Sequence, residues 1–157
     1  MPPKEPTPYR KRQLWLESLS ASEWPDIKLT DGKGINRSIA WAVLRKYGDH
    51  VNDETKKVFV SEQRVADAIG VNRSTVSRAI EYLQIIGLIR WEGERTERGG
   101  TRVFLVNLFG RHISDPDTLK RNQIAARSCR TVQQVNRIED AGQSSKFVAP
   151  ISGEVAG

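Results

Sequence analysis

Cysteine occurs once in the 157 residues, at Cys129, so no intramolecular disulfide can form and a disulfide-stapled secreted scaffold is excluded. Histidine occurs only at His50 and His112, and these two are scattered singly with Cys129. Neither CxxC nor HExxH spacing nor a paired-carboxylate pattern is present, so no metal, cofactor or enzymatic activity is expected. Long apolar runs are missing as well. The longest covers residues 39–44, far short of the about 18 residues that a membrane span requires. The N-terminus reads Met-Pro-Pro-Lys-Glu-Pro-Thr-Pro, without the apolar stretch of a secretory signal, which leads us to expect a cytoplasmic chain with no membrane partner. Hydrophobic residues are 38%, against roughly 45–50% in ordinary globular chains, so part of the chain is not expected to join a core.

Charge is present and unbalanced. There are 25 Lys and Arg against 19 Asp and Glu, a net +6 that suits a polyanionic partner. The excess is unevenly spread: residues 1–60 hold 11 basic and 8 acidic groups, residues 61–107 hold 7 and 6, and residues 108–157 hold 7 and 5. The middle segment is nearly neutral. Any claim of nucleic-acid binding there must rest on where individual side chains point.

Four prolines within residues 1–8 favour an extended arm, and Trp15, Leu16 and Leu19 at helical spacing predict a short helix over residues 9–19, broken at Trp24-Pro25. Trp15 and Trp24 are read as clamps for this arm, with a partner-binding face as the alternative. Asp31-Gly32-Lys33-Gly34 looks like a phosphate loop but lacks GxxxxGK[ST] spacing, and is taken as a helix-entry turn. Ile35, Ile39, Ala42, Val43 and Tyr47 recur at helical intervals, with Gly48 as the expected stop. Val58-Phe59-Val60 predicts a short strand.

Ser61 offers an N-cap for a helix that Glu62 opens, with Val65, Ala66 and Ile69 as its buried stripe and Gly70 at its end. A second helix is predicted from Asn72, with Val76, Ala79, Ile80 and Leu83 on one face and Gly87 as its stop. Leu88-Ile89-Arg90-Trp91 and Arg102-Val103-Phe104-Leu105-Val106 then read as two strands around a polar, glycine-containing loop. Asp115-Pro116 marks a further helix start, and residues 141–157 carry the composition of a disordered tail.

Two short helices joined by Gly70-Val71-Asn72, with Ala66 four residues before the glycine and Val76 six after it, resemble the helix-turn-helix of DNA-binding proteins. Two helices that cross steeply at a three-residue turn leave room only for a small side chain at the crossing, and glycine tolerates the turn's left-handed backbone. With the following hairpin the sequence resembles a winged helix-turn-helix over about half the chain, and is most similar to modules of phage and plasmid regulatory or replication proteins. The fold class this implies is α+β, mainly α. It divides the chain into an N-terminal arm (residues 1–29), the winged helix-turn-helix (30–107), a C-terminal helical extension for oligomerisation or partner binding (108–140) and a tail (141–157).

Projected at about 100° per residue, Ser74, Ser77, Arg78 and Glu81 fall opposite the apolar stripe, with Ile85 beside Arg78. The resemblance implies that this helix enters the major groove by its N-terminal end, with Asn72, Arg73 and Arg78 reading bases and Ser74, Thr75 and Ser77 in support. Glu81 is read as holding Arg78 or accepting from cytosine. A merely solvated face is the alternative, but Ser and Thr weaken an exposed helix that Ala, Glu or Lys would strengthen. Ser61, Gln63 and Arg64 in the first helix, and Arg95, Arg98 and Arg102 in the wing, are the implied backbone contacts. The expected function is therefore sequence-specific binding of double-stranded DNA by a nucleoid-associated transcriptional regulator, as a homodimer on a two-fold site. A replication initiator or partition factor and a protein-interaction module are the alternatives.

Overall fold

The computed structural model describes residues 2–97 and 100–127, and each α-helix in it begins at a side-chain cap. Thr7 accepts the Arg10 amide ahead of α1 (Pro8–Ser18), and Asn36 accepts the Ser38 amide ahead of α2 (Arg37–His50). Ser61 accepts the Arg64 amide ahead of α3 (Glu62–Ile69), and Asn72 accepts the Thr75 amide ahead of α4 (Arg73–Ile85). Each cap satisfies a backbone donor that the first turn leaves without an intrahelical partner. Asp115 repeats the device, accepting from the Thr118 amide at 2.9 Å ahead of residues 116–127, which are helical. The chain order is completed by β1 (Lys57–Val58) between α2 and α3, and by β2 (Ile89–Arg95) and β3 (Arg102–Val106) after α4.

The architecture is α+β and mainly helical, with one small antiparallel sheet in the order β1-β3-β2. Register places Val58 and Trp91 on either side of Phe104, and Ile89 opposite Val106. An irregularity between Trp91 and Arg95 lets β2 bend away from β3 before the two meet again at Arg95 and Arg102. Helices α2, α3 and α4 pack on one another, and α2 and α4 also meet the sheet, where the Tyr47 and Phe104 rings lie 5.7 Å apart. The core comprises Val43, Leu44 and Tyr47 of α2, Val65 and Ala66 of α3, and Val76, Ile80 and Leu83 of α4, all buried.

Several expectations change in three dimensions. Gly48 does not stop α2, which runs to His50. It lies where α1 crosses, and a Cβ there would sit 2.6 Å from Leu16 Cδ1, so the missing side chain is what lets the two helices approach. The reading of Trp15 and Trp24 as clamps for the arm agrees with the packing: both are buried in the core with Leu16, Ile27 and Leu29, and Tyr82 donates to the Pro25 carbonyl at 2.6 Å. Residues 1–123 form one unit, and a second begins at Ile124, of which residues 124–127 are described. Ile85 is not an outward-facing residue but is buried. The chain after β3 returns over this end of α4, with Ile113 donating to Ile86 O and Asn122 to Ile85 O, both at 2.8 Å. The proposed tail (141–157), and the part of the extension from residue 128 on, lie outside the described residues.

Among the described residues no helix is long and apolar enough to cross a membrane, and no group of three or more His, Cys, Asp or Glu is placed to hold a metal.

Candidate functional site

The turn between α3 and α4 sets the geometry of the site. Gly70 has φ of 76°, a left-handed conformation that L side chains adopt only at a cost, and its amide and that of Val71 both donate to Ala66 O. These two hydrogen bonds close α3 and send the chain directly into the Asn72 cap of α4. Asn72 is therefore a structural residue. Its Oδ1 accepts from the Thr75 amide (3.2 Å), Ser74 Oγ (3.0 Å) and Thr75 Oγ1 (2.7 Å), so this oxygen is engaged within the helix start, while the residue itself is exposed.

Glu62, which nothing in the sequence marked beyond an acidic first turn, is the hub of the site. It opens α3, yet its Oε2 accepts from Ser77 Oγ of α4 at 2.6 Å and lies 3.5 Å from Arg73 Nε, while its Oε1 accepts from Arg102 Nη2 of β3. Burial alone would raise this carboxyl. The hydrogen bond from Ser77 and the two guanidiniums outweigh it and hold the group below the usual carboxylate range. The carboxylate thus joins the first turns of both helices to the loop end of the hairpin, where Arg102 pairs with Arg95. Arg102 also lies over the Trp91 and Phe104 rings, 5.5 and 5.1 Å from their centroids, and is largely buried. It serves as a strut inside the fold, in place of the exposed wing contact expected of it.

Beside this hub the Tyr47 ring is buried and its hydroxyl has no hydrogen-bond partner among the described residues. Desolvation, with the Glu62 charge adding, pushes that hydroxyl well above its ordinary pKa.

Of the residues implied in α3, Ser61 is occupied as the cap, Gln63 donates to Asp67 Oδ1 at 2.8 Å, and Arg64 is exposed. In α4, Arg73 keeps 61% of its side chain exposed and Ser74 is exposed beside it, whereas Ser77 is tied to Glu62. Arg78 faces the loop before α2: its Nε donates to Asp31 Oδ2 at 3.0 Å and its Nη2 to the Gly34 carbonyl. Glu81 does not face outward. It is buried, and its Oε2 accepts the Thr30 amide at 2.7 Å. The loop of residues 29–34 therefore meets α4 at Arg78 and Glu81 and leaves Arg73 and Ser74 of the first turn exposed.

In the hairpin, Arg95 donates to Gly100 O at 2.7 Å and lies over the Trp91 ring, and Thr96 and Thr101 close the loop through their backbones. Arg98 lies outside the described residues. Lys57 and Glu94 pair at 2.9 Å and Arg90 and Glu92 at 2.7 Å, so much of the basic charge of this face is already matched by carboxylates. The implied residues that stay exposed without being tied into the fold are Arg64 on α3 and Arg73 and Ser74 on α4, with Arg78 partly exposed.

Comparison with protein-family models, with curated proteins and with solved structures yields no match to this chain.

Proposed function

We propose that this chain binds double-stranded DNA at a specific site through a winged helix-turn-helix and acts as a transcriptional regulator. Helix, strand, two helices and a hairpin follow one another in the order of that fold, with α4 as the helix that enters the major groove and the β2–β3 hairpin as the wing. The observation that carries the proposal is the open first turn of α4. Arg73 and Ser74 stand exposed there, and Glu62 ties this end of α4 to the hairpin through Ser77 and Arg102. Arg73 and Arg78 are the base readers, and Arg64 and Arg95 contact phosphates. Since one such module reads half a site, the active species is a homodimer on a two-fold operator.

A protein-interaction role is the second candidate, favoured by the ion pairs that neutralise Arg78, Arg90 and Arg102. The two part on one experiment. Footprinting of the purified chain on the DNA around its coding region should show a protected site that Arg73→Ala/Arg78→Ala abolishes while retaining the folded circular-dichroism spectrum. Protection that is unchanged in this variant refutes the assignment. Light scattering should give two chains per protected site, and a single chain refutes the dimer.

A further inference from the structure

Arg78 does not project into solvent as a long flexible cation. One edge of its guanidinium is held, with Nε on Asp31 Oδ2 and Nη2 on Gly34 O, and 28% of the side chain stays exposed. The group that holds it is itself fixed. Asp31 Oδ1 accepts the Lys33 amide at 2.9 Å, and the turn around it is closed by Leu29 N to Lys33 O at 2.8 Å. Leu29 is buried at the base, Thr30 donates to buried Glu81, and Gln123 donates to Lys28 O at 3.0 Å. A loop anchored at so many points is a bracket, not a swinging latch. The Lys33 amide, with Arg78 adding to it, also holds the Asp31 carboxyl below the usual range against the opposing effect of desolvation, so it is charged at neutral pH.

A guanidinium carries five N–H donors in a rigid planar fork. With the Nε side engaged, the end formed by Nη1 and the second Nη2 hydrogen makes no hydrogen bond among the described residues. That end is a two-donor edge of the shape that matches guanine O6 and N7. Arg78 lies one helical turn beyond Ser74 on the same stripe of α4, at the border of the open surface.

We infer that Asp31 is a specificity-determining positioning residue, which holds one edge of Arg78 so that the other is presented, already ordered, to a guanine in the major groove. This rests on the DNA-binding role proposed above and extends it to a residue outside the helix-turn-helix. A guanidinium fixed before binding loses less side-chain freedom on contact, and the contact tolerates fewer wrong bases.

The test uses the full chain and a duplex site selected from a randomised library, with each base pair of that site then replaced in turn. The wild type should show one G·C position at which substitution weakens binding about 10-fold or more, the range of a good bidentate contact. Arg78→Ala and Arg78→Lys should both lose that discrimination, because an ammonium cannot fork. Asp31→Asn should lose most of it as well while binding the other positions with their original preferences, and Asp31→Asn/Arg78→Ala should be no less selective than Arg78→Ala alone. If Asp31→Asn keeps full discrimination and merely tightens binding to every duplex, Asp31 is a blocking charge and the positioning role is refuted. If the wild type selects no duplex at all, the DNA-binding proposal falls and this inference falls with it.

Discussion

Replacing Glu62 with alanine should be the most damaging single change at the surface-facing end of the helical layer. The substitution removes the carboxylate that meets Ser77, Arg73 and Arg102 at once. Arg102 is the costly partner. Its side chain is 14% exposed and that of Glu62 11%, so the guanidinium would be left almost dry with no counter-charge. Breaking a fully buried pair from one side costs about 3–5 kcal/mol, and the residual exposure here argues for the lower end, about 3 kcal/mol. Arg73 adds little, because at 3.5 Å and 61% exposure its attraction is screened by water. With a urea slope of about 2 kcal/mol/M, the unfolding midpoint should fall by about 1.5 M.

Glu62→Gln, which keeps the shape and an acceptor, should lose less. Combining Glu62→Gln with Arg102→Met should recover part of the loss, since removing both charges leaves none unpaired. The folded-state pKa of Glu62 is below its ordinary value of 4.5. Its stabilising contribution is therefore complete above the unfolded-state pKa and disappears as pH falls through the folded one. The wild-type midpoint should thus fall more steeply than that of Glu62→Gln as the solution is acidified below about pH 4.5. A midpoint shift under about 0.5 M for Glu62→Ala, or losses that simply add in the double variant, would refute the hub.

Other substitutions probe separate parts of the fold. Gly48→Ala places a methyl group 2.6 Å from Leu16 Cδ1 and should destabilise by about 1–2 kcal/mol in urea unfolding, despite the better helix propensity of alanine; a gain would show that α1 moves aside freely. Tyr47→Phe removes a buried hydroxyl that has no partner among the described residues, and should leave stability unchanged or raise it by up to about 1 kcal/mol in the same assay; a loss above that range would show the hydroxyl to be satisfied. Asn72→Ala takes the cap from α4 and should cost about 1 kcal/mol, measured by thermal unfolding; a negligible change would return Asn72 to the set of residues available for contact.

Most local structure was legible because its causes are local. The cap Ser61, the helix start at Asn72, the left-handed stop at Gly70 and the apolar stripe Val76, Ala79, Ile80 and Leu83 each act within one or two helical turns, and periodicity exposes them. Gly48 and Ile85 misled for the same reason. A glycine within a helix and an apolar residue on an outward stripe are decided by what packs against them, Leu16 in one case and the returning chain beyond β3 in the other. The arginines of the candidate site were the hardest to assign. A charged side chain looks identical in sequence whether it meets solvent or a carboxylate 40 or 47 residues away, as Arg102 and Arg78 do.

The sequence by itself determined where the helices and strands lie, which of their faces are apolar, and that a glycine turn joins α3 to α4. Only the tertiary structure decided which polar groups remain outward. Long-range folding brought Glu62 to Arg102, Asp31 to Arg78 and Thr30 to Glu81, and so narrowed a broad basic face to the first turns of one helix. The division follows from range. Backbone hydrogen bonding and side-chain period act between near neighbours, whereas charge pairing and burial depend on distances that no spacing along the chain encodes.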